Sequence, residues 1–114
     1  MVIPVSKADS AAAIKKLVYD DGVVSMDELV RALDANFEGH ESLRQMLRYK
    51  APKFGNDDDT VDRLVVEMTD FNDRGLSRYT DVLGQPFHSA IMGLTYNIPT
   101  GAVVGALPCG RRAG

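Results

Sequence analysis

The chain has 114 residues, 45% hydrophobic and 25% charged, with 16 acidic against 13 basic side chains and a net charge of -3. That is one domain's worth of sequence in ordinary soluble proportions, and with no run of Lys and Arg to build a positive face it argues against nucleic-acid binding. No apolar stretch approaches the roughly 20 residues that cross a bilayer and no basic segment precedes Met1-Val2-Ile3-Pro4-Val5, so no membrane association and a cytoplasmic location are expected.

Ala11 to Tyr19 places Ile14, Leu17 and Val18 on one stripe, which predicts a helix punctuated by Asp21-Gly22. A second helix is capped by Ser25, with Glu28 completing a capping box and Met26, Leu29, Val30, Leu33 and Phe37 at helical spacing. Gly39 breaks that pattern. Leu43, Met46 and Leu47 predict a third helix, terminated by Pro52. The loop Pro52 to Asp57 then feeds a long helix striped by Val61, Leu64, Val65, Met68 and Phe71. Tyr79, Val82 and Leu83 extend its pattern past Gly75, where a kink or break is the alternative. His88 to Ile98 mixes β-branched, aromatic and small residues ahead of Pro99 and reads as one strand. The glycine-rich remainder reads as loop. A single strand cannot satisfy its own backbone, so it is expected to pair with strands from elsewhere.

Several residues invite a chemical reading. Asp57-Asp58-Asp59 resembles a carboxylate cluster for a hard cation, but its place before an apolar helical repeat fits an anionic first turn capped by Asn56 or Asp57. Gly22 and Glu28 stand six apart, as in an EF-hand loop, yet that register puts Leu17 and Tyr19 at the first and third ligand positions, which argues against calcium. One Cys and two scattered His, His40 and His88, give no zinc spacing, so no metal site is expected. Cys109 precedes Arg111 and Arg112, whose charges favour a thiolate, but it lacks a neighbouring base and reads as an inert loop thiol. Strand alternation would put Thr95 and Asn97 on one face and Tyr96 on the other, as pocket lining or as hydrogen-bonding partners in a core.

The ordered series Ala12-Ala13-Ile14-Lys15-Lys16-Leu17-Val18, Ser25-Met26-Asp27-Glu28-Leu29, Ala32-Leu33-Asp34-Ala35-Asn36-Phe37-Glu38-Gly39, Leu43-Arg44-Gln45-Met46-Leu47, Ala51-Pro52-Lys53-Phe54-Gly55-Asn56-Asp57-Asp58 and Gly105-Ala106-Leu107-Pro108, with Gly110-Arg111, resembles the glycyl radical enzymes, the pyruvate formate-lyase-like family. Members are several times longer, so the resemblance implies an interior slice (residues 1–114) of an α/β fold, a ten-stranded barrel with helices outside. It also implies a parent lyase, dehydratase or acyltransferase of anaerobic metabolism, often a homodimer, that cleaves a small molecule by radical chemistry. A separate S-adenosylmethionine-dependent iron-sulfur activase would install the radical on a backbone glycine, and a cysteine thiyl would then attack the substrate. None of the ten glycines here has the Arg-Val-x-Gly-aromatic context of the radical site, and the thiyl cysteine lies on a loop ahead of the matched stretch. Cys109 stands where relatives often carry Asp. No catalytic residue and no bound cofactor are therefore expected, and the chain alone is expected to be inactive. Its expected role is scaffold and pocket wall, with Thr100, Asn97 and Thr95 as substrate-facing residues. The alternative is a small non-catalytic helical interaction module derived from that fold.

Overall fold

The computed structural model describes residues 5–91 and 97–114, Asn97 by its backbone. Helix α1 (Val5–Ile14) runs without interruption into a π-helical turn, Lys15–Asp20. The wider turn brings residues five apart into register, and Lys15–Asp20 and Lys16–Asp21 pair at 2.6 and 3.0 Å. Gly22, at φ +61°, reverses the chain, and the amides of Val23 and Val24 both return to the Leu17 carbonyl. The helix thus begins at Val5, six residues before the expected start at Ala11, and Ala8, Ala12 and Ala13 also lie buried.

Helix α2 (Met26–Asp34) starts where expected: Ser25 is extended, and its Oγ accepts the Glu28 N–H at 3.1 Å. It ends before Phe37. Asn36 and Phe37 both adopt left-handed backbone at φ +49° and +61°, and the Phe37 amide donates to the Ala32 carbonyl at 2.7 Å. Phe37 therefore drops its ring, fully buried, beneath the α2 terminus instead of extending the α2 stripe. Helix α3 (Glu41–Tyr49) follows and stops short of Pro52. Leu17, Leu29, Phe37, Leu43 and Leu47 form the centre of the main core.

The next helix, α4 (Asp59–Leu76), is capped by Asp58, whose Oδ1 accepts the Thr60 amide at 2.9 Å. Neither Asn56 nor Asp57 takes the cap, and Asp57 is itself left-handed at φ +56°. Val61, Leu64, Val65 and Met68 pack on Ala8 and Ala12 of α1 in a second, smaller core. Phe71, expected on the same stripe, is 72% exposed.

Beyond Gly75 the helix breaks. Residues 79–87 fold into a tight reversal in which Thr80 bridges Pro86, and Asp81 Oδ1 accepts the amides of Leu83 and Gln85. Tyr79, Val82 and Leu83 do not extend the stripe, and their side chains are exposed. The expected strand is corrected too. No strand forms over residues 88–91, and Asn97 and Ile98 open a helix, α5 (Asn97–Val103), while residues 92–96 lie outside the described residues. The described residues hold two isolated bridges and no sheet. The Ser89 amide donates to Asp73 Oδ1 at 2.9 Å, and at the end of α5 the Val104 amide returns to the Thr100 carbonyl at 3.1 Å.

The Cα radius of gyration is 16.3 Å, against about 13 Å for a compact domain of this length. The cores sit at the end built by α1 to α3 and the first half of α4. Everything after Met68 contributes little to either.

Candidate functional site

The C-terminal loop is a designed closure, not slack chain. Leu107 and Arg111 form an antiparallel bridge across Pro108, Cys109 and Gly110, with the Gly110 amide donating to the Leu107 carbonyl at 2.9 Å. Gly110 sits at φ +88°, the left-handed residue that follows a tight turn in a three-residue hairpin loop. Ala106 packs into the main core and anchors the loop.

Gly110 lies against α3. A Cβ at this position would come within 2.4 Å of Arg48 Cγ and 3.0 Å of the Arg44 carbonyl. Further on, the Ala113 amide donates to Asn36 Oδ1 at 2.8 Å, so the left-handed Asn36 both turns the chain and receives the loop. The guanidinium of Arg111 folds back, donating to the carbonyls of Gly101 at 2.6 Å and Gly105 at 3.3 Å. At Gly101 a Cβ would meet that guanidinium at 2.9 Å.

This docking creates a cleft lined by Asp9, Arg44, Arg48, Cys109, Arg111 and Arg112. Glu41 grips Arg44 through two bonds, Nε to Oε2 at 2.8 Å and Nη2 to Oε1 at 2.6 Å, and also takes Arg112 Nη2 at 3.1 Å. The hydrogen bonds from Arg44 and Gln45 hold the Glu41 carboxyl at about 2, well below its ordinary value, and the same contact raises the Arg44 guanidinium. Behind the cleft, Lys53 Nζ donates to the Leu47 carbonyl at 2.7 Å. Burial pushes this ammonium's pKa down, against the opposing pull of Asp9 and Cys109.

The chain thus has a basic cluster after all, assembled by folding rather than by a run of residues. Arg44 and Arg48 are one helical turn apart and meet Arg111 and Arg112 only across the loop contact. Their spacing on α3 was the available signal; nothing local brings them to residues more than sixty positions away.

The structure describes two of the three predicted pocket residues, Asn97 by its backbone and Thr100 in full. Thr95 lies outside the described residues, Asn97 opens α5, and Thr100 is exposed on α5 with its carbonyl accepting the Val104 amide at 3.1 Å. Cys109 is half-buried at the turn. Among the described residues no group of three or more His, Cys, Asp or Glu is placed to hold a metal. No helix among them is long and apolar enough to cross a membrane.

A family profile described as pyruvate formate lyase-like matches residues 5–101. Isethionate sulfite-lyase of Bilophila wadsworthia is 42% identical over 105 residues, covering 92% of this chain and 12% of that protein. Among solved structures, the glycerol-bound B12-independent glycerol dehydratase of Clostridium butyricum superposes with a TM-score of 0.90 at 34% identity, over 99% of this chain and 14% of the other. A glycyl radical enzyme from Archaeoglobus fulgidus gives 0.82 at 32% identity, with the same two coverages. The chain spans 12 to 14% of the length of these relatives.

Proposed function

The chain belongs to the pyruvate formate lyase-like family of glycyl radical enzymes, and on that premise we propose that it forms the outer helical layer and part of the pocket wall of a radical lyase or dehydratase. The observation that carries this reading is the apolar surface left unspent after Met68. Phe71, Ile98 and Val103 are 72%, 81% and 84% exposed, and Tyr79, Val82 and Leu83 join them. Single exposed apolar residues are ordinary, but so many along one half of a chain imply a covering body. The remainder of a ten-stranded barrel supplies that cover. The same surface disfavours a self-sufficient helical module, which would have to leave it in water.

In this assignment the radical glycine and the thiyl cysteine come from outside these 114 residues. An S-adenosylmethionine-dependent iron-sulfur activase supplies the glycyl radical to a homodimeric, cytoplasmic parent enzyme of anaerobic metabolism. Dehydration or C–S cleavage fits the relatives better than acyl transfer, since those named are a sulfite-lyase and a dehydratase. This chain's own contribution is to bind and enclose: α1 to α4 brace the wall, and Thr100, Asn97 and Thr95 face the substrate. Enclosure matters because it keeps a reactive intermediate from competing reactions.

The test replaces the matching segment of the glycerol dehydratase with this chain. After activation, electron paramagnetic resonance should show a glycyl radical in the chimera and none in the 114-residue chain treated alone. Thr100→Ala in the chimera should change KM with the radical yield unaltered. A radical signal from the isolated chain would overturn the placing of the radical site elsewhere, and an unchanged KM would remove Thr100 from the pocket.

A further inference from the structure

We propose that the cleft between α3 and the C-terminal loop binds a phosphate-type dianion, as inorganic phosphate or as the terminal group of a phosphate monoester. Four arginines, Arg44, Arg48, Arg111 and Arg112, line it, with Asp9 and the chain-terminal Gly114 on the rim, Glu41 bound to two of the arginines, and Lys53 behind. Five positive groups against three carboxylates leave two positive charges over in the 114-residue chain, whose side chains carry a net charge of -3.

Three of the four guanidiniums are already held in place. Glu41 fixes Arg44 and Arg112, and the Gly101 and Gly105 carbonyls fix Arg111. Binding an anion therefore costs little additional side-chain ordering. Each guanidinium carries five N–H donors, so Arg44 and Arg112 retain donors beyond those committed to Glu41. The Arg44 side chain is only 16% exposed, which places its charge where water screens it less. Arg48 lies over the Tyr49 ring, 5.3 Å from its centroid, and is the least restrained of the four.

A doubly charged tetrahedral oxyanion matches this arrangement better than a carboxylate does. It neutralises both surplus charges, and it accepts from α3 on one side and from the loop on the other. The contact of Gly110 with α3 fixes the distance between those two sides.

The test titrates the 114-residue chain with sodium phosphate, and separately with methyl phosphate, at ionic strength held constant with chloride. The amide resonances of Gly110, Arg112 and Ala113 are followed by NMR. Saturable shifts are expected with a dissociation constant on the order of 1 mM. Arg48→Gln and Arg112→Gln should each weaken binding roughly tenfold, whereas Lys7→Gln on α1, outside the cleft, should leave it unchanged. No tail hydrogen bond among those described depends on Arg48, so Arg48→Gln keeps the test valid should Arg112→Gln loosen the loop. Response to both probes identifies the phosphate group itself as the ligand, and response to inorganic phosphate alone identifies the free ion. Shifts that do not saturate, or an equal loss in Lys7→Gln, would reduce the effect to general screening and overturn the proposal.

Discussion

Replacing Gly110 by Ala tests whether the C-terminal loop is truly seated on α3. The backbone at φ +88° costs an L-residue about 1–2 kcal/mol. The new methyl adds a steric conflict. Arg48 Cγ, at 2.4 Å, can move only by a change of χ1 that carries the whole side chain, and the Arg44 carbonyl at 3.0 Å and the Arg48 amide at 3.3 Å are helix backbone. Forcing an extra carbon into such a contact costs about 1–3 kcal/mol, for a total of about 2–5 kcal/mol. The loop contributes only Ala106 to the main core, so it should lift off before the core unfolds. A penalty of about 2 kcal/mol corresponds to roughly a 30-fold rise in the local opening equilibrium. Hydrogen exchange followed by NMR should show the Ala113 and Leu107 amides, which donate to Asn36 Oδ1 and to the Arg111 carbonyl, exchanging faster by about that factor. Amides within α3 should keep their protection. Gly22→Ala is the control, since its φ of +61° imposes comparable strain with no atom within 4 Å of the new methyl. Equal protection of Ala113 and Leu107 in Gly110→Ala and the parent chain would refute the docked loop.

Two further outcomes follow from local chemistry. Ser25→Ala removes the Oγ that accepts the Glu28 amide and should lower thermal stability by about 1 kcal/mol, while Ser25→Gly should cost only a few tenths; equal losses would mean that the cap does not form. The Glu41 carboxyl, held at about 2 against an ordinary 4.5 by Arg44 and Gln45, is depressed on folding. Its contribution to the stability of the fold is therefore fully present above pH 4.5 and is lost as pH falls through about 2. A carboxyl titration by NMR that placed Glu41 at an ordinary value would remove this charge pair from the account.

Wherever apolar residues repeat at helical spacing and find a neighbour within the chain, the sequence was enough to locate the helix. Leu17, Leu29, Leu43 and Leu47 all reach the main core as their periodicity requires. Phe37 was misplaced because its spacing fits the α2 stripe equally well, and only the left-handed pair at 36 and 37 distinguishes a ring on the helix from one tucked under its end. The cap moved from Asn56 or Asp57 to Asp58 for a similar reason: three consecutive aspartates offer the same side chain, and the backbone conformation chooses among them. The arginine cleft was invisible because its halves are joined only by contacts across the chain, Gly110 on α3, Arg112 on Glu41 and Ala113 on Asn36.

The correction of the strand expected over His88 to Ile98 is of a different kind. Its β-branched and aromatic residues, among them Ile91, Thr95, Tyr96 and Ile98, carry a genuine strand preference, yet Asn97 and Ile98 open α5, which also takes in residues expected as loop. Periodicity cannot settle the conformation of so short a segment, because a strand's hydrogen bonds are supplied by its neighbours. As a helix, α5 satisfies its backbone, with the Val104 amide on the Thr100 carbonyl, yet leaves Ile98 and Val103 in water. The rest of the proposed barrel would cover both side chains without any change in that backbone. A long helix such as α4 carries its own hydrogen bonds and can be read from sequence even where its outer half lacks a partner; a barrel strand becomes determinate only when its neighbours are present.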